Sequence, residues 1–173
     1  MKYVRFERAY KLVLISVLGL VAMPAIAGIA DSPLPVLQAG KRTLFLYSVP
    51  GVIAGGALST FFLCTSTATA PQQVSVEVFL RFGGGPCNDA AADSQSVQPG
   101  ATVVFGTGQP INEILGGQVA DSSVCGGIGT GSARILSTST KLVCTALVGD
   151  AENSPPTTSW QLTVIKKTSQ KGE

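Results

Sequence analysis

The chain has 173 residues, of which 45% are hydrophobic and only 13% charged, with four cysteines and no histidine. That balance suits one globular domain, and the absence of imidazole excludes Ser-His-Asp and Cys-His catalysis, His-ligated zinc and a histidine pH switch. The formal charge of +2 comes from the first residues: beyond Ala27 there are 8 basic and 9 acidic residues, a net charge of −1, and no basic stripe of the kind that tracks a phosphate backbone, so nucleic acid is not an expected partner.

The start reads as a secretory signal peptide over residues 1–27. Lys2, Arg5, Arg8 and Lys11 form a basic region, Leu12 to Met23 an apolar one, and Ala25-Ile-Ala27 a small-residue cleavage site. Cleavage after Ala27 leaves 146 residues, and cleavage after Ala30 leaves 143. Residues 28–42, with Pro33, Pro35 and Gly40, suit an extended arm or an edge strand. From Leu44 to Cys64 run 21 residues without a charge, long enough for a membrane-spanning helix. Pro50, Gly51, Gly55 and Gly56 in the middle favour two strands about a turn, and hence no stable span in the mature chain.

Leu58, Phe62 and Cys64 share one face of the second of these strands. Val74 to Phe82 alternates cleanly: Val74, Val76, Val78, Leu80 and Phe82 point one way, Ser75, Glu77 and Arg81 towards water, with Phe79 the exception. Glu77 and Arg81 are expected as exposed charges worth little to stability. Gly83 to Gln98 is a loop, Pro99-Gly100 a type II turn, and Ala101 to Phe105 a strand. The stretch from Gly106 to Gly131 is glycine-rich, with a possible helical turn at Ile111 to Leu115. Ser132 to Thr138 and Lys141 to Val148 read as a hairpin or adjacent strands. The last strand, Trp160 to Lys166, is expected to bury Trp160, Leu162 and Val164, and residues 167–173 form a polar tail.

Seven or eight short strands without a helix predict an all-β fold, a two-sheet antiparallel β-sandwich of immunoglobulin-like architecture over residues 43–166. An even cysteine count after export predicts two disulfides. Three connectivities are open. The nested one, Cys64 with Cys144 and Cys87 with Cys125, joins strand to strand and loop to loop, and zinc binding by all four is disfavoured by their spacing. The Cys64 to Cys144 interval resembles an immunoglobulin inter-sheet bridge, although Trp160 follows the second cysteine and Leu142 stands where a tyrosine corner would be.

The runs Pro99-Gly-Ala-Thr-Val-Val-Phe-Gly-Thr107, Gly131-Ser-Ala-Arg-Ile-Leu-Ser-Thr-Ser139 with Cys144-Thr-Ala146, and Ile165-Lys-Lys-Thr-Ser-Gln-Lys-Gly172 resemble a group of small exported bacterial proteins of uncharacterised function. That resemblance implies a secreted, periplasmic or cell-surface location and carries no site residues.

Candidate sites are few. Gly126-Gly-Ile-Gly-Thr-Gly131 lacks the Lys-Ser/Thr of a phosphate loop. Asp89, Asp93 and Asp121, with Asn88, are weak calcium candidates, and Asp150, Glu152 and Asn153 a second set. The acids do not pair at any catalytic spacing, so neither an enzyme nor a cofactor is expected. The expectation is a non-catalytic exported structural or interaction module whose partner is another envelope or surface protein. One alternative is a carbohydrate- or small-ligand-binding domain with Tyr47, Phe61, Phe79 or Trp160 as platform. A second is a surface-assembly subunit joined by strand addition, donating Val36-Leu37.

Overall fold

The computed structural model describes residues 28–108, 117–119, 129–150, 153 and 156–167; the predicted signal peptide, the predicted helical turn at Ile111 to Leu115, Cys125 and the tail beyond Lys167 lie outside them. Among the described residues there are ten strands and no helix: β1 (Leu44–Gly55), β2 (Leu58–Ser66), β3 (Gln72–Leu80), β4 (Gln95–Val97), β5 (Thr102–Gly106), β6 (Gly117–Val119), β7 (Gly129–Ser137), β8 (Leu142–Asp150), β9 (Ser159–Leu162) and β10 (Ile165–Lys166). All pairs are antiparallel except β5 with β6.

The expected pair of separate sheets is not what forms. Hydrogen bonding is continuous in the order β4-β3-β7-β1-β2-β5-β6, with β10 on β1, β8 on β2 and β9 on β8. The uncharged stretch is the reason. β1 does not stop at Pro50-Gly51 but runs to Gly55, with register shifts at Phe45/Tyr47 and Pro50/Val52. Gly51 sits at φ +78°, a conformation that glycine adopts without penalty.

The β1–β2 hairpin pairs only at Ala54–Ser59 and Gly55–Leu58, and then its strands splay. The edge of β1 passes to β10, and that of β2 to β5. Two buried threonines satisfy the backbone at the fork. The Ile53 N–H donates to the Thr60 hydroxyl at 2.8 Å, and the Ile53 carbonyl accepts from the hydroxyls of Thr60 at 3.0 Å and Thr107 at 2.8 Å. Side chains there replace ladder bonds that splayed strands cannot make.

Past the fork, the two parts of the sheet share one core. Leu46, Val49 and Val52 of β1, the valines of β3, and Ala133 and Ile135 of β7 pack with Phe62 and Cys64 of β2, Phe105 of β5 and Leu142 and Ala146 of β8. The Tyr47 hydroxyl crosses this core to donate to the Leu142 carbonyl, and burial pushes its phenol above the ordinary 10.0. The Pro99-Gly100 turn forms as expected, with Gly100 at φ +75° and the Ala101 N–H donating to the Gln98 carbonyl at 3.0 Å.

The disulfide Cys64–Cys144 is present, but its place corrects the inter-sheet expectation. Cys64 and Cys144 stand directly opposite each other on the neighbours β2 and β8, with Cα atoms 4.2 Å apart, the close spacing of a non-hydrogen-bonded antiparallel pair. The bridge therefore reinforces a ladder within the sheet. Nor do β7 and β8 form the expected hairpin: β7 lies between β1 and β3, and β8 between β2 and β9.

Candidate functional site

The largest departure from expectation is on the outer face of β3, β7 and β1. Alternation places Ser75 and Glu77 opposite the core valines, yet both are buried, Glu77 at 2% exposure. β7 brings Arg134 beside Glu77 in register, and the two form a buried ion pair through Arg134 Nε and Glu77 Oε2. The rest of the guanidinium is taken up by the arm. Nη1 donates to the carbonyls of Ile29 and Ser32, and Nη2 to that of Pro33, each at 3.0 Å. Phe79 and Phe45 flank the cation at 5.2 and 5.8 Å.

Local structure shapes the arm for this. The Gly28 carbonyl accepts the N–H groups of Asp31 at 3.2 Å and Ser32 at 3.0 Å and the Ser32 hydroxyl at 2.8 Å, which curls residues 28–32 into a turn. Thr43 then donates to the Pro35 carbonyl at 2.6 Å and accepts the Leu37 N–H at 3.3 Å. Leu37 packs on Leu136, Ala90 and Phe45 in a second, smaller core. Residues 28–42 thus form no edge strand: they roof one face of the sheet. Cleavage after Ala27 keeps the Gly28 and Ile29 carbonyls, whereas cleavage after Ala30 removes both. With its guanidinium donors spent on three arm carbonyls, Arg134 holds the backbone of residues 29–33 against the sheet.

The loop acids have similar work. The buried side chain of Asn88 acts as an extra rung on the edge of β3, accepting the Val78 N–H at 2.9 Å and donating to the Val76 carbonyl at 2.8 Å and to Asp93 Oδ2 at 3.0 Å. Asp89 Oδ1 accepts the N–H groups of Ala91 and Ala92 at 3.0 and 3.2 Å. Asp89 and Asp93 therefore stabilise the loop that covers this edge, and Asp121 lies outside the described residues. Among the described residues no three acids, cysteines or histidines group as metal ligands. Asp150 Oδ2 accepts from Asn153 and from Thr157, the latter at 3.1 Å; Glu152 is outside the described residues. Cys87 is disulfide-bonded, and Cys125, its partner in the nested pairing, is likewise not described.

The proposed aromatic platform does not assemble. Tyr47, Phe61 and Phe79 are buried, while Trp160, expected in the core, is 42% exposed on β9. β9 pairs only with the Ala146–Gly149 part of β8, and a groove of about 430 Å³ opens where that pairing ends, lined by Cys144, Thr145, Gln161, Leu162, Thr163 and Val164. The residues next to its lining in the chain, Val143, Trp160 and Ile165, are exposed. No protein-family model, curated protein or solved structure matches the chain. No helix among the described residues is long and apolar enough to cross a membrane, and the Cys64–Cys144 disulfide accords with an oxidising compartment outside the cytosol.

Proposed function

We propose that the protein is a non-catalytic exported interaction module of the bacterial envelope or exterior. The observation that carries this reading is the margin formed by β8, β9 and β10, where Trp160 is exposed next in the chain to the Gln161 and Leu162 that line a groove, and Val143 and Ile165 are exposed on β8 and β10, while the edge of β3 is capped by Asn88. Exposed apolar side chains on a sheet margin suit a protein partner, with Trp160 the side chain best able to anchor it. Donation of Val36-Leu37 to a neighbour is a poorer reading, because Leu37 is packed under its own roof.

A photoreactive amino acid placed at position 160 or 143 in the producing bacterium should give a discrete crosslinked adduct in the extracytoplasmic fraction. The same probe at Ser96, exposed on the opposite edge strand β4, should not. Equal crosslinking at all three positions, or none at the margin, would refute this reading.

A further inference from the structure

The strand register gathers at one end of the molecule cations that lie far apart in the chain. Lys41 and Arg42 precede β1, Lys141 precedes β8, Lys166 ends β10 and Lys167 follows it; all are exposed. Leu44 pairs with Ser137, Ser66 with Leu142 and Tyr47 with Lys166. The Lys167 N–H donates to the Leu46 carbonyl at 2.8 Å, and the Thr67 N–H to the Lys141 carbonyl at 3.0 Å. Together these ties put the start of β1, the end of β2, the start of β8 and β10 at a single pole. The described carboxylates sit elsewhere: Glu77 is buried, Asp31 lies in the arm turn, Asp89 and Asp93 in the loop over the β3 edge, and Asp150 at the far end of β8.

Between Lys41 and Lys141 opens a groove of about 280 Å³, lined by residues 67–72, Thr138 and Ser139. The Thr138 hydroxyl oxygen accepts the Gln73 N–H at 3.1 Å, and that of Ser139 accepts the Lys141 N–H at 3.2 Å. A hydroxyl used as an acceptor still carries its own proton to donate, so the groove combines two ammonium groups with hydroxyl donors.

We propose that this pole binds an acidic polysaccharide, seating one oxyanion-bearing sugar between Lys41 and Lys141 and drawing the rest of the chain along Lys166 and Lys167. Lysines distributed over the pole match a repeating charge better than a single ion, and hydroxyl donors suit the oxygens of a polyhydroxylated ligand. Single-stranded nucleic acid would want aromatic stacking, and the exposed aromatics lie away from the pole: Trp160 pairs with Val148, and Phe82 follows the far end of β3. This surface is distinct from the β8–β10 margin and is tested by different substitutions.

The test is titration of the mature, disulfide-bonded protein with polygalacturonate. Binding should saturate, and it should weaken at least tenfold between about 50 mM and about 300 mM salt, because these exposed charges are screened. K41Q/K141Q should weaken it at least tenfold with melting temperature unchanged, and K166Q/K167Q several-fold, the latter also losing the contact of Lys167 with the Phe45 ring, while W160A leaves it unaltered. Neutral dextran, inorganic phosphate and vesicles of phosphatidylcholine with phosphatidylglycerol serve as comparison ligands. No binding of polygalacturonate, equal binding of dextran, an unaffected K41Q/K141Q variant, or binding confined to vesicles or free phosphate would each overturn the proposal.

Discussion

Arg134→Ala is expected to destabilise the protein by about 3 to 5 kcal/mol, as does removal of one partner from a buried ion pair. The substitution leaves the Glu77 carboxylate buried without its counter-ion and the carbonyls of Ile29, Ser32 and Pro33 without their donor. Glu77→Ala should cost a similar amount, by stranding the cation. The double variant R134M/E77L, which removes both charges and keeps volume, should recover much of that loss, since hydrophobic replacement of a whole buried pair is often close to neutral. Arg134→Lys separates charge from geometry. It preserves the cation but loses the planar fork that reaches Glu77 and the arm together, so it should fall between wild type and Arg134→Ala. Urea melts of these variants, with R134A/E77A closing the double-mutant cycle, give the coupling. Faster hydrogen exchange at the Asp31 and Ser32 amides would report release of the roof; simple additivity of the two single substitutions would mean that the pair does not act as a unit.

The second large effect is expected at the sheet's covalent rung. Cys64 and Cys144 are 80 residues apart in sequence, and opening a loop of that length costs about 4 to 5 kcal/mol in the chain-entropy model. C64A/C144A should therefore lower the urea midpoint strongly while leaving the strands intact at low denaturant, because the β2–β8 ladder runs from Leu58–Asp150 to Ser66–Leu142 on its own hydrogen bonds. Unchanged stability would show that the ladder alone fixes this pairing. The Cys64 side chain is buried, so part of the loss is the packing defect that alanine leaves.

Local pattern made the strands legible. The alternation of Val74, Val76 and Val78 found β3, and the β-branched and aromatic residues on either side of Pro50 to Gly56 found β2 and the first half of β1 in a stretch long enough for a membrane helix. What local pattern could not show was which residue lies across the sheet. Glu77 reads as solvent-facing because period-two alternation says only that it opposes the core, and not that Arg134, 57 residues away, will stand beside it under an arm. A signal for this was present: Phe79 breaks the polar face, and Arg134 sits within an apolar run. Trp160 misled in the opposite sense, since a large aromatic in an alternating run is usually core, but β9 ends the sheet. The basic pole was invisible for the same reason, as register and not sequence spacing brings Lys41, Lys141 and Lys166 to one end.

Disulfide mapping tests this fold most directly. Trypsin digestion of the denatured, alkylated but unreduced protein places Cys64 in peptide 43–81, Cys144 in peptide 142–166, and both Cys87 and Cys125 in peptide 82–134, which contains no internal lysine or arginine. The register of β2 on β8 requires peptides 43–81 and 142–166 to travel as one linked species, with peptide 82–134 separate, closed on itself and carrying no alkyl group. A species joining all three peptides, or alkylation at Cys64 or Cys144, would contradict the pairing on which the folded sheet depends.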